Sequence, residues 1–330
     1  MKMRQNIYFL VSGLVGVLLT SCYQDINLDE YKGQKGEHLL TINSIVNPDS
    51  TIKVAATKTY FFSDTHISKD YVTDLDISLT INGINKGYLS FDTSSQMYVS
   101  DIKPKESDII EFTTEYLDKR VECKDTVPDK VKIESIKVTR QGPMFVYTKA
   151  DYIFTYQIKF SDPVDEDNYY FLQYDEDFKP GDYGNMSIGV RDFSYEFVFQ
   201  QLARHINAIV PGWEPYSSTG LPFSDYGIDG ETHTLIVKEI VQGLDLSHHH
   251  QMRRRFHLFS ISESYYNYLL SRLYNDSFDS GLHGGMIDMG MTEPIKYYSN
   301  IVGGVGIFAA YSLDEVIMEI LDVDGPFPEQ

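Results

Sequence analysis

The sequence predicts a mainly β protein: an immunoglobulin-like β-sandwich followed by a second β-rich domain with one clear helix. Three observations point there. The 330 residues hold 25 Tyr and 19 Phe but a single Trp, and Tyr and Phe favour pleated, half-buried surfaces. Short apolar runs alternate with polar residues and end at turn clusters, as strands do. The chain is also too long for one ordinary core and suits about two domains. Hydrophobic residues make up 42%, which excludes a disordered chain. Lys plus Arg total 28 against 48 Asp plus Glu, a net charge of -20. That balance argues against nucleic acid, whose phosphates require a basic face.

The first residues read as an export signal. Lys2 and Arg4 form a short basic start, and Ile7 to Leu19 is uncharged and mostly apolar. The run is short for a bilayer span, which takes about 20 residues. Basic start, apolar middle and small residues at the end describe a secretory signal. The ending Leu19-Thr20-Ser21-Cys22 resembles a bacterial lipobox, in which the bond before Cys is cut and the Cys carries the lipids. Residues 1–21 are then a lipoprotein signal peptide and Cys22 is the lipidation site. Removing Lys2 and Arg4 takes the net charge from -20 to about -22. Residues 22–36 are polar and acidic, with Gly33 and Gly36, and read as a tether. Cys123 is left as the one thiol of the mature chain, so no internal disulfide forms. It sits in an alternating stretch and reads as an inert, partly buried strand residue.

The first domain is expected over residues 37–128. Leu39, Ile42, Ile45 and Val46 form a β-rich run that ends at the turn cluster Asn47-Pro48-Asp49-Ser50. Ile52, Val54 and Ala56 alternate, as do Leu75, Ile77, Leu79 and Ile81 before the tight-turn pair Asn82-Gly83. Tyr98-Val99, Ile109 to Phe112 and Arg120 to Cys123 bring the count to about seven strands, the number a sandwich of this kind uses.

Pro128 marks the expected boundary, and residues 129–330 form the second domain. Val131 to Val138, Tyr152 to Phe160, Tyr169 to Tyr174, Thr234 to Val241 and Met252 to Ile261 read as strands. Residues 176–230 are rich in Gly, Pro, Asp and Tyr with little periodicity, and are expected to be long loops. Ser262 caps the clear helix near 262–275, with Tyr265, Leu269, Arg272 and Leu273 at helical spacing.

Four segments together resemble the Bacteroidota lipoproteins known as domain of unknown function 4249. They are Asn47-Pro48-Asp49-Ser50-Thr51; Asp162-Pro163 leading to Asn168-Tyr169-Tyr170; Ser262 to Tyr268; and Ser299-Asn300-Ile301-Val302-Gly303-Gly304-Val305-Gly306-Ile307-Phe308. The resemblance implies an outer-membrane, lipid-anchored protein, often encoded near energy-coupled outer-membrane receptors, with no activity attached to the family. The runs His248-His249-His250 and Arg253-Arg254-Arg255 depart from that pattern.

Several stretches invite chemistry and have plainer readings. On a strand His248 and His250 would share a face about 7 Å apart, but two ligands are too few for a closed zinc site. A solvated strand edge or loop is the simpler reading. Asp162, Asp165, Asp167 and Asn168 offer hard oxygens that calcium uses, without the spacing of an EF-hand, and read as a solvated acidic turn. Gly304-Val305-Gly306-Ile307-Phe308-Ala309 matches G-x-G-x-x-A, yet too little chain follows for a dinucleotide fold. These glycines instead suit a strand bulge or close backbone packing. Arg253 to Arg255 read as protection of a strand edge or as contact with an anionic partner or lipid. There is no G-x-S-x-G elbow, and no cofactor or metal is expected.

The expected function is a binding or accessory lipoprotein that docks on an outer-membrane receptor and helps capture a nutrient. A membrane-tethered secreted hydrolase, or a structural or adhesive surface protein, are the alternatives. Tyr174, Phe178, Tyr183, Phe193, Trp213, Tyr216, Phe223 and Tyr226 supply the rings of the 176–230 region. Rings on loops give large contact area at low entropic cost, while loops of this length also pack their own rings. Trp213, between Pro211-Gly212 and Glu214-Pro215, is the leading contact, with Tyr216 and Tyr226 beside it.

Overall fold

The structure is a computed structural model that describes residues 38–60, 70–146, 149–176, 190–208, 212–217, 219–241, 251–279, 289 and 296–321. The expected signal peptide, Cys22, the expected tether, Phe178, Tyr183 and the His248–His250 run lie outside the described residues. The fold is mainly β, as the alternation and the aromatic content predict, with seventeen strands and two helices among the described residues.

The first eight strands are β1 (Leu40–Val46), β2 (Lys53–Lys58), β3 (Ser78–Ile81), β4 (Ile84–Tyr88), β5 (Ser90–Asp92), β6 (Met97–Val99), β7 (Ile109–Tyr116) and β8 (Lys119–Thr126). Strand β1 turns Leu40, Ile42, Ser44 and Val46 inward and keeps the residues between them wetter, the period of two that a one-sided sheet requires. Asn82 and Gly83 join β3 to β4 with φ of 52° and 75°, the two left-handed positions of a tight hairpin turn. Strands β4-β3-β7-β8 form a four-stranded sheet. Its inner residues Leu79, Ile110, Phe112 and Val121 share one core with Ile42 and Val54 of the facing sheet. Each such side chain contributes about 1.5–3 kcal/mol on leaving water. Cys123 lies in this core, fully rather than partly buried, and burial pushes its thiol up to about 12.

The remaining strands are β9 (Ile133–Val146), β10 (Lys149–Ser161), β11 (Tyr169–Glu176), β12 (Val190–Asp192), β13 (Tyr216–Ser217), β14 (Gly220–Ser224), β15 (Thr232–Val241), β16 (Gln251–Ile261) and β17 (Val305–Leu321). A five-stranded sheet runs β13-β12-β15-β10-β9, and an eight-stranded sheet runs β14-β11-β16-β17-β1-β2-β6-β5. The second core lies between these two sheets, with Tyr156 and Phe160 of β10 meeting Tyr170, Tyr174 and Phe256.

Strand β17 joins the two cores. Its first residues pair parallel with β1, Thr41 opposite Val305 through Val46 opposite Ala310. Its later residues pair antiparallel with β16, from Tyr311 opposite Ile261 onward. Phe308 therefore meets Phe112 in the first core at 4.6 Å between ring centres, while Val316 and Met318 pack on the second. Pro128 lies on the passage from β8 to β9, where its carbonyl accepts a 2.6 Å bond from the Ser312 hydroxyl of β17.

The glycines before and within β17 serve close backbone approach. A Cβ on Gly304 would sit 2.6 Å from the Leu40 carbonyl oxygen, and one on Gly306 would collide with that of Ile42. Gly306 also has φ of 116°, which a side chain rarely tolerates. The G-x-G-x-x-A match thus lies on a strand locked beside β1, and leads into no helix.

The expected helix is α2 (Glu263–Asp279), capped by Ser262, whose Oγ accepts from the Tyr265 N–H at 3.3 Å. The expectation of long loops throughout 176–230 needs correction, because helix α1 (Phe197–Asn207) lies within it. Val198, Phe199, Leu202 and Ile206 fall on one face and are buried in the second core. That spacing is helical, and the surrounding Gly, Pro and Tyr conceal it. The expectation for Arg253 to Arg255 also changes. Strand β16 lies between β11 and β17, so these residues protect no sheet edge. Arg254 points into the second core and pairs with Glu239.

Candidate functional site

The segment from Asp192 to Phe197 carries two exposed aromatic rings close to the predicted contact residues. Inward go Phe193, which packs on Phe199 at 4.9 Å between ring centres, and Glu196. The Glu196 carboxylate is almost fully buried and is satisfied by the Ile236 N–H at 2.7 Å and His233 Nε2 at 3.0 Å. Burying it without those partners would be costly. Outward go Tyr195 and Phe197, 53% and 41% exposed. The anchored inner residues hold the outer rings in the water.

Tyr216 joins this surface from the neighbouring strand. In the five-stranded sheet Asp192 of β12 is paired on one side with Tyr216 of β13 and on the other with Lys238 of β15. Directly opposite residues share a face of the sheet. The Lys238 ammonium lies 3.5 Å from the Tyr195 ring centre, a cation–π contact. Tyr216 is 45% exposed. The Asp192 carboxylate, with lesser effects from partial desolvation, Glu214 and Tyr195, raises its hydroxyl above the usual phenol range. The backbone is pinned here by the Phe193 N–H, which donates to the Pro215 carbonyl at 3.0 Å.

Tyr226 belongs to the turn after β14 and is 67% exposed. The next residue, Gly227, has φ of 86°, and a Cβ there would fall 2.7 Å from the Phe197 ring. The turn that carries Tyr226 therefore rests on Phe197. Tyr195, Phe197, Tyr216 and Tyr226 are drawn from three segments that the tertiary fold brings together.

Trp213 is placed differently from its neighbours. It is half-buried and packs against the second core. Asn207, the last residue of α1, accepts from the Trp213 N–H at 2.9 Å and donates to its carbonyl at 2.8 Å. Of the eight rings named in the sequence, Tyr174, Phe193 and Phe223 are fully buried, and Tyr216 and Tyr226 are exposed. Tyr195 and Phe197 were missed in the sequence. Their signal was their position on either side of Glu196, a residue that a buried partner could draw inward.

The acidic turn is reorganised by the fold. Asp162, Asp225 and Asp229 lie with carboxylate oxygens within 4.8 Å of one another, whereas Asp165, Asp167 and Asn168 stand outside that group. Asp162 accepts from the Tyr170 hydroxyl and, at 3.0 Å, from the Gly230 N–H. Asp225 accepts from the Asn168 N–H at 2.7 Å, and Asp229 from the Asp165 N–H at 3.2 Å. Burial is the main cause that raises the Asp162 and Asp225 carboxyls above the usual range. These bonds tie the turn before β11 to the turn that carries Tyr226.

A cleft of about 370 Å³ lies beside β8, lined by Glu111, Arg120, Glu122, Cys123, Lys124 and Asn300 among others. Its charged groups engage one another, Arg120 with Glu122 at 2.7 Å and Lys124 with Glu111 at 2.8 Å. The Cys123 thiol is far from the thiolate form a nucleophile needs.

Among the described residues no helix is long and apolar enough to cross a membrane. No curated protein matches the chain. One similar solved structure is a protein described as membrane anchored from Corynebacterium diphtheriae. It is 11% identical with a TM-score of 0.20, and the match covers 69% of this chain and 55% of that one. Another is the collagen binding domain of the Erysipelothrix rhusiopathiae surface protein RspB, 9% identical with a TM-score of 0.15. That match covers 84% of this chain and 94% of that one. At such scores neither likeness bears on function. A family model does match, over residues 24–316, and the chain belongs to the family described as domain of unknown function (DUF4249).

Proposed function

We propose that this chain is a lipid-anchored lipoprotein of a Bacteroidota outer membrane that works by binding, as the accessory partner of an energy-coupled receptor in nutrient capture. The anchor is Cys22, reached through the lipobox Leu19-Thr20-Ser21-Cys22. Two acyl chains on one Cys hold a protein on a membrane, since each buried CH2 contributes about 0.8 kcal/mol. The observation that carries the binding reading is the set of exposed rings, Tyr195, Phe197, Tyr216 and Tyr226, seated on buried anchors. Exposed rings on rigid supports lose little entropy on contact, and Tyr is enriched where binding energy concentrates.

The test is site-specific photo-crosslinking in intact cells, with the crosslinker in place of Tyr226 and, as control, of Tyr88. Tyr88 is 71% exposed on the four-stranded sheet, away from the proposed contact elements. The reading expects a defined outer-membrane adduct from position 226 and none from 88. Equal adducts from both, or none from either, would overturn it. Mass spectrometry of the membrane form is expected to find lipid-modified Cys22 at the N-terminus, and recovery of Met1 would remove the anchor.

A further inference from the structure

We propose that the surface recognised by these rings is cationic: a protein segment whose lysine or arginine side chains lie on Tyr216 and Tyr226. This rests on the binding reading above and adds the chemistry of the partner. Each of the two tyrosines has an exposed carboxylate close to it in the chain, Glu214 before Tyr216 and Asp229 after Tyr226. Tyr216 stands opposite Asp192 in the sheet and two residues beyond Glu214, and both carboxylates act on its hydroxyl. Tyr226 follows Asp225 directly, in a turn closed by the Ile228 N–H on the Asp225 carbonyl at 2.7 Å, and Asp229 stands at the end of that turn. The face of an aromatic ring is electronegative, so a ring beside carboxylates attracts a cation twice over.

The same surface already holds one cation in this way, since Lys238 lies on Tyr195 at 3.5 Å. That ammonium is supplied by the protein's own sheet and leaves Tyr216 and Tyr226 exposed to a partner. Charge complementarity excludes the other occupants. An anionic lipid headgroup would meet the exposed carboxylates Glu214 and Asp229 on a chain whose net charge is -20. An apolar partner would strip water from those carboxylates and return no hydrogen bond. A segment bearing Lys or Arg offers both the countercharge and the flat or extended stem that covers a ring.

The experiment measures binding of a fluorescein-labelled hexa-arginine peptide to the full-length chain in neutral detergent micelles, by fluorescence anisotropy. The variants are Tyr216→Ser/Tyr226→Ser and the control Tyr88→Ser. None changes net charge or the Lys238–Tyr195 contact, so diffuse attraction to an acidic protein survives all of them. The expected result is a tenfold or greater loss of affinity in the double variant, none in Tyr88→Ser, and weakening with added salt. Equal affinity in all three proteins would overturn the cationic assignment. Ring-dependent binding of maltohexaose with ring-independent binding of the peptide would overturn it too, in favour of a neutral glycan. The two readings fail separately: a missing adduct at position 226 removes docking, and ring-independent peptide binding removes the cationic partner.

Discussion

Arg254 Nε donates to Glu239 Oε2 at 3.1 Å inside the second core, and both side chains are about 1% exposed. The Tyr156 hydroxyl donates to the same oxygen at 2.7 Å, and the Arg254 Nη2 reaches Oε1 at 3.3 Å. Glu239 lies on β15 and Arg254 on β16, so the pair ties the five-stranded sheet to the eight-stranded one across their shared core. Removing one partner leaves the other charged and buried. Arg254→Met is expected to lower stability by about 3–5 kcal/mol in denaturant unfolding. The double variant Arg254→Met/Glu239→Leu is expected to recover much of that loss. A single variant with unchanged stability would mean that the pair is open to water.

Asp125 of β8 accepts a 2.6 Å bond from Ser262, whose own oxygen receives the N–H groups of Tyr265 and Ala310. Burial is the chief cause that raises the Asp125 carboxyl to about 6, against the Ser262 bond that opposes it. The folded form therefore binds this proton more tightly than the unfolded chain does. Its contribution to stability is full below about pH 4 and is lost as pH rises through about 6. Wild type minus Asp125→Asn stability is expected to fall across that window by an amount on the order of 2 kcal/mol. The check is denaturant unfolding of both proteins at half-unit pH steps. A flat difference would place Asp125 in water.

Gly306 and Gly83 both have positive φ, and they separate strain from collision. Around Gly83 a Cβ meets nothing within 4 Å, whereas at Gly306 it meets the Ile42 carbonyl. Gly83→Ala is expected to cost about 1–2 kcal/mol, the left-handed backbone penalty alone. Gly306→Ala is expected to cost at least about 3 kcal/mol, because β1 and β17 must part as well. Thermal unfolding of the two variants ranks them.

Trp213→Ala is expected to lower stability by about 2–3 kcal/mol, since the ring packs on the second core beside α1. Tyr216→Ala and Tyr226→Ala are expected to stay within about 0.5 kcal/mol of wild type, as exposed positions do. Urea midpoints of the three proteins distinguish the packed ring from the exposed ones.

Local pattern carried much of the strand assignment. Leu40, Ile42 and Val46, or Phe154, Tyr156, Ile158 and Phe160, alternate because one face of a sheet meets a core and the other does not. Asn82-Gly83 and Ser262 announced a turn and a helix start through backbone demands that only a few residue types meet. The closeness of Gly304 and Gly306 to another backbone was also legible, although its partner, β1, was not.

What the sequence by itself determined about this protein is its class, its acidic charge and the inward or outward face of most strands. Each of these depends on residues close together in the chain. The tertiary structure alone decided that β17 pairs with β1 from some 260 residues away, that Arg254 is buried rather than at an edge, and that Asp162 meets Asp225 and Asp229. It alone brought together the segments that carry Tyr195, Phe197, Tyr216 and Tyr226, and packed Trp213 against the second core. The physical reason is that side-chain alternation specifies which face of a strand is dry, while its neighbour in the sheet is chosen by backbone pairing and core volume summed over the whole chain.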